Sequence, residues 1–202
     1  MSAVHIRRLG IQQYINVLEK MQTFTQTRDA STPDEIWLVE HLPVYTQGQA
    51  GKDCHVLNRN SIPIVQSDRG GQITYHGPGQ LVVYVMLDLA RRNLLVRDLV
   101  SHLEQCIIKT LAQSQIHAQT ITGTPGVFVQ QDKIASVGLR VKKSCTYHGI
   151  ALNVAMDLAP FKDINPCGDT QLQMTQMRAF LPDIKVSSVI DNLIPNLLME
   201  HD

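Results

Sequence analysis

The sequence predicts an α+β fold: a single domain over residues 1–202, with a largely antiparallel or mixed sheet flanked by helices. Short β-branched apolar runs bounded by turn residues cluster at 36–41, 81–87, 127–129, 134–141 and 146–154. Longer stretches with apolar residues at helical spacing flank these runs instead of alternating with them. The length of 202 residues with 44% hydrophobic and 18% charged content is enough for one real core.

Ile11, Tyr14, Ile15, Leu18 and Met21 place a first amphipathic helix over 11–29, and Pro33 closes that region. Residues 36–41 read as a strand, followed by a polar loop over 49–60. Residues 62–65 and 81–87 read as buried strands joined by a glycine-rich hairpin loop. Val96, Leu99, Val100, Leu103, Ile107 and Leu111 mark a second helix over 95–114. After a loop at 123–126, strands at 127–129 and 134–141 pair around a turn, and 146–154 joins the same sheet. Residues 157–169 are irregular. A last helix over 187–200 takes Ser187 as its N-cap and is kinked by Pro195.

Lys+Arg and Asp+Glu both number 18, so no global field points to nucleic acid or membrane. The first ten residues lack the apolar core of a signal peptide, so the expected location is the cytoplasm. None of Cys54, Cys106, Cys145 and Cys167 forms a Cys-x-x-Cys pair, which argues against a zinc site or a disulfide framework.

The stretch Arg69-Gly70-Gly71-Gln72-Ile73-Thr74-Tyr75-His76-Gly77-Pro78-Gly79-Gln80 packs four glycines and a proline into twelve residues. That density brings bare N–H groups close to a ligand, as in an anion or carbonyl cradle, and it matches no phosphate-loop motif. Cys167 lies in a Pro-Cys-Gly loop away from any apolar stripe, a context that suits a nucleophile as well as a structural residue. Lys133 opens an otherwise apolar strand. Spacing alone does not link it to Cys167, and His76 or His148 could equally supply a Cys–His pair.

The glycine-rich stretch as a whole resembles the signature of the octanoyltransferases of lipoate biosynthesis, the lipoyl(octanoyl) transferases. Three further segments are similar to motifs of that family, in its order. Lys133-Ile134-Ala135-Ser136-Val137-Gly138 resembles its Lys-Ile-Ala-x-x-Gly strand, and His148-Gly149-Ile150-Ala151-Leu152-Asn153 its His-Gly-x-Ala-Leu-Asn strand. Asn165-Pro166-Cys167-Gly168 resembles its Pro-Cys-Gly loop, so the likeness spans residues 36–180.

The resemblance implies the fold of the biotin and lipoate protein ligase catalytic domains and a catalytic pair, Cys167 and Lys133. It implies an acyl cleft formed by Arg69, Gly70, Gly71, Gln72, Ile73, Thr74, Tyr75 and His76, by Ser136, Val137 and Gly138, and by Gly149, Ile150 and Ala151. The implied reaction carries an octanoyl group from octanoyl-acyl carrier protein to a lysine of a lipoyl domain through a Cys167 thioester. The implied acceptors are the lipoyl domains of 2-oxoacid dehydrogenase complexes and the glycine cleavage H protein. No cofactor or metal is implied. Backbone N–H groups of the glycine-rich segments are the expected oxyanion donors. Arg91-Arg92 and Arg140-Val141-Lys142-Lys143 are the local basic groups on which an acidic carrier could dock. Ser136 stands where the family often has alanine, and Gln173-Met174-Thr175-Gln176-Met177 lacks its common Thr-Ser pair. Two other readings compete: an ATP-dependent ligase on the same fold, and a binding module without chemistry.

Overall fold

A computed structural model describes residues 4–198 of the chain. It runs β1 (Val4–Gln12), α1 (Tyr14–Thr27), β2 (Asp34–His41), β3 (Val44–Gln47), β4 (Ile64–Gln66), β5 (Ile73–His76) and β6 (Gln80–Met86). It continues through α2 (Val96–Gln113), β7 (Gln119–Ile121), β8 (Thr124–Val129), β9 (Asp132–Lys142), β10 (Cys145–Asn153) and α3 (Val186–Leu197). The larger sheet has the order β1-β2-β6-β10-β9-β8-β7, and a smaller one has the order β4-β3-β5. Pairing is antiparallel except for β1 with β2 and β3 with β4, so the fold is α+β with mixed sheets.

The apolar runs explain the layering. Every residue of β6 and β10 is buried, as expected of strands covered on both faces. Leu99, Leu103, Ile107 and Leu111 of α2 join Val189 and Leu193 of α3 on one face. Tyr14, Val17, Leu18 and Met21 of α1 pack on Trp37, Val82 and Tyr84 on the other. A third cluster of Tyr45, Ile73, Tyr75, Met156, Phe161 and Ile164 sits by the smaller sheet. No helix among the described residues is long and apolar enough to cross a membrane.

The structure corrects several boundaries. The first helix begins at Tyr14, and the residues before it form β1, an edge strand held by its parallel ladder with β2. Ile11 therefore lies outside the helical stripe and is 52% exposed. The glycine-rich stretch is not a hairpin. It contains β5 and hands the chain from the smaller sheet to the larger one. Gly79 makes the crossing: its φ is +87°, its carbonyl accepts the Val154 and Ala155 N–H groups, and a Cβ there would lie 2.2 Å from the Ala155 carbonyl oxygen. The 123–126 loop is largely strand, paired with the short β7. α3 starts after Lys185, so Ser187 is not its cap, and Pro195 falls in its last turn. The predicted extension of this helix to 200 lies in part outside the described residues.

Candidate active site

Lys133 and Cys167 meet. Lys133 Nζ lies 3.4 Å from Cys167 Sγ, across 34 residues of chain. The lysine side chain is fully buried, with its ammonium 5.3 Å from the Phe128 ring centroid. Gly126, at φ +128°, makes the slot, since a Cβ there would stand 2.8 Å from Lys133 Cε and 2.5 Å from the Ala135 oxygen. The main chain fixes the rest. Lys133 N donates to Gln173 O and Thr175 N donates to Lys133 O, both at 2.9 Å. The segment after Cys167 is thereby laid alongside β9 as a short parallel bridge.

Cys167 is exposed and sits in the left-handed region, φ 57° and ψ 12°, inside a 3₁₀ turn (Pro166–Gly168). A non-glycine residue there carries strain on the order of 1 kcal/mol or more, a feature that concentrates at functional sites. The turn is closed by Gly168 N to Asn165 O at 2.9 Å and Asp169 N to Pro166 O at 3.1 Å.

A cavity of about 380 Å³ opens beside the pair. Of the residues named from sequence, Arg69, Gly71, Gln72, Ile73, Thr74, His76, Ser136, Val137, Gly138, Gly149, Ile150 and Ala151 line it, with Lys133 and Cys167. Gly70 and Tyr75 do not. The Gly70 N–H is spent on Leu139 O at 2.9 Å, stitching the loop to β9. Tyr75 packs against Tyr45 and Phe161 in the third cluster. Sequence reasoning missed Tyr14, Val82, Tyr84 and Leu172 in the lining. The period-two alternation of β6 puts Val82 and Tyr84 on one face and could have found them.

Among the described residues Arg69 has no carboxylate partner. Its guanidinium donates to Thr46 O at 2.6 Å, Gln72 O at 2.7 Å and Gly70 O at 2.9 Å, and so braces the glycine-rich loop. Burial pushes its pKa down. His76 bonds Gln80 Oε1 at 2.6 Å and Thr46 Oγ1 at 3.2 Å. Burial, with His41 and Arg69 nearby, lowers its pKa to about 3. His148 Nε2 lies 2.8 Å from Asp68 Oδ1, and burial lowers its pKa although Asp68 opposes this. Burial alone would raise Asp68, but hydrogen bonds from His148 and Tyr147 hold it well below the usual carboxylate range. Both histidines line the cavity with these partners, whereas Cys167 bonds Lys133. Arg91 and Arg92 both close on buried Asp34 at 2.5 Å, joined by Arg28 at 2.6 Å, so three guanidinium groups share one carboxylate. Arg140 donates to Gln49 Oε1 at 2.6 Å, while Lys142 and Lys143 are exposed.

Residues 13–198 match the family described as the lipoyl protein ligase A/B catalytic domain. The chain is 57% identical over 195 residues to the octanoyltransferase of Legionella pneumophila (strain Paris), covering 96% of this chain and 98% of the relative. It is 55% identical over 193 residues to the octanoyltransferase of Klebsiella pneumoniae (strain 342), covering 96% and 90%. Among solved structures, lipoate-protein ligase A bound with ATP superposes with a TM-score of 0.78 at 14% identity, over 97% of this chain and 84% of that one. Biotin protein ligase from Aquifex aeolicus superposes with a TM-score of 0.56 at 12% identity, over 98% and 68%. These two likenesses speak for the fold alone. The family match and the relatives together show that the chain belongs to the lipoyl protein ligase A/B catalytic-domain family and, within it, to the octanoyltransferases, so that it is an acyltransferase of protein lipoylation.

Proposed function

We propose that the chain moves an octanoyl group from octanoyl-acyl carrier protein to a lysine amine of a lipoyl domain, by way of a thioester on Cys167. The observation that carries this reading is the 3.4 Å contact between Lys133 Nζ and Cys167 Sγ at the wall of the cavity. One of the similar solved structures is of a bi-partite archaeal lipoate protein ligase and its E2 lipoyl domain, which supports the same acceptor class here. The reducing cytoplasm suits an enzyme that relies on a free, exposed thiol.

In the first half-reaction the Cys167 thiolate attacks the donor thioester carbon, and the carrier's thiolate leaves, taking a proton from the Lys133 ammonium, which becomes the neutral amine. Thioester is exchanged for thioester, so the step is nearly balanced and calls for no ATP. In the second, the acceptor amine attacks the acyl-enzyme, Lys133 takes the amine's proton, and Cys167 leaves as thiolate. Thioester to amide is downhill. Ile73, Val82, Val137, Ile150 and Ala151 supply apolar wall for the acyl chain. At about 0.8 kcal/mol per buried CH₂, such a wall can discriminate chain length.

The test is intact-mass analysis after incubation with octanoyl-acyl carrier protein and no acceptor. An octanoyl adduct should form on the parent and on Cys54→Ser, Cys106→Ser and Cys145→Ser, and should vanish in Cys167→Ser. An adduct on another cysteine, or a requirement for ATP, would overturn the reading.

A further inference from the structure

Each half-reaction puts negative charge on the former carbonyl oxygen, and a fixed donor aimed at that oxygen is worth most in a cavity shielded from water. Several backbone donors of the glycine-rich loop and of the turn that bears Cys167 are already committed. Gly168 N donates to Asn165 O, Asp169 N to Pro166 O, Gly70 N to Leu139 O and Gly48 N to Gln72 O. Lys133 is taken up with the proton of the attacking amine. A side chain can supply such a donor, and one lies against the turn that bears Cys167.

Gln72 meets that description. A Cβ at Gly168, whose φ is +76°, would stand 2.5 Å from Gln72 Nε2, 2.7 Å from Cδ and 2.9 Å from Oε1. The carboxamide thus occupies the space that a side chain at 168 would fill, one residue from the nucleophile. Its Oε1 is buried without a hydrogen-bond partner. The unpartnered oxygen is an acceptor, so this position can meet an oxyanion only once the amide is turned to put its N–H there. The backbone of Gln72 is held rigid, with its carbonyl accepting Arg69 Nη2 at 2.7 Å and Gly48 N at 3.3 Å. Gln72, Lys133 and Cys167 line the same cavity.

We propose that the Gln72 carboxamide is the oxyanion donor of this site: its N–H binds the oxygen that becomes negative when Cys167 or the acceptor amine attacks. Turning the amide about its last bond exchanges nitrogen and oxygen and keeps an N–H available beside the turn. Arg69 then has a second task, since bracing Gln72 O fixes where that N–H points. The assignment rests on the octanoyl-transfer reading above.

Gln72→Met keeps the length and removes the donor, and Gln72→Ala removes the bulk as well. Two rates are read on each variant: single-turnover acylation of Cys167 by a small octanoyl thioester, and alkylation of Cys167 by iodoacetamide, which passes through no oxyanion. Acylation should fall by about 10²–10³-fold in both variants, the usual cost of one lost oxyanion donor. Alkylation should stay within about twofold of the parent, because the thiol and its lysine are untouched. Acylation within about fivefold of the parent would overturn the assignment. So would alkylation falling in step with acylation, which marks a role in shaping the turn. If the parent alkylates but takes no octanoyl group, the transfer reading itself fails, and this assignment falls with it.

Discussion

Lys133 occupies a slot with no slack. Gly126 walls it at Cε, Phe128 lies beneath the ammonium, and its main chain is bonded on both sides. Lys133→Arg separates two roles, because guanidinium keeps its proton at any working pH. If the lysine must accept the amine's proton, transfer from preformed acyl-enzyme should fall by about 10²–10⁴-fold while acylation of Cys167 partly survives. Single-turnover transfer to a lipoyl domain, on a variant shown to be folded, measures this. A rate within about tenfold of the parent would exclude the base role. The pair was not legible from spacing, because the rest of β9, all of β10 and the irregular segment lie between the two residues. The order of the motifs linked them, and the main-chain bonds of Gln173 and Thr175 to Lys133 are the physical link. Of the residues expected at the cleft, Tyr75 turned away and Gly70 had its N–H already spent, while Tyr14, Val82, Tyr84 and Leu172 in the lining were not foreseen.

At the scale of elements, the central strands and α2 were legible because each carries its own period and burial. The edge strands β1 and β7 were not, because they owe their form to neighbours distant in sequence or to a short hairpin. The change of sheets at Gly79 was hidden for the same reason, since a glycine-rich loop between two apolar runs reads locally as a hairpin. The centre of the larger sheet is the least forgiving place. A Cβ on Gly149 of β10 would meet the Val83 carbonyl oxygen of β6 at 2.0 Å, and backbone cannot step aside. Gly149→Ala should therefore destabilise the protein by more than about 2 kcal/mol. Gly123→Ala, at φ +81° with nothing within 4 Å, meets only the backbone penalty of about 1 kcal/mol. Urea unfolding of the two variants compares them directly. A smaller loss in Gly149→Ala than in Gly123→Ala would refute the account.

Across the whole molecule, formal charge balances, and the pH response of stability comes from buried histidines. Burial lowers the pKa of His41 to about 4, and burial with its cationic neighbours lowers that of His76 to about 3. Unfolded, each would titrate near 6.5. The unfolded chain therefore binds protons that the folded one refuses once the pH drops below that value. Stability should be level above about pH 6.5 and decline as the pH falls toward 4, with His41 alone contributing on the order of 3 kcal/mol. Asp34 and Asp68, whose folded pKa values are depressed, add a second loss only as the pH passes below the ordinary carboxylate range. Urea midpoints from pH 8 to 4 test this, and a flat profile between 7 and 4.5 would contradict it.

The bonds that lay residues 173–175 beside Lys133 run from main chain to main chain. Such a clamp holds whatever letters are written there, provided proline does not take the N–H at 175. Gln173 and Thr175 lend no side chain to these bonds, so side-chain changes there leave the clamp in place. The placement of Lys133 beside Cys167 is thus set through the backbone, so side chains at 173 and 175 can vary without moving the lysine.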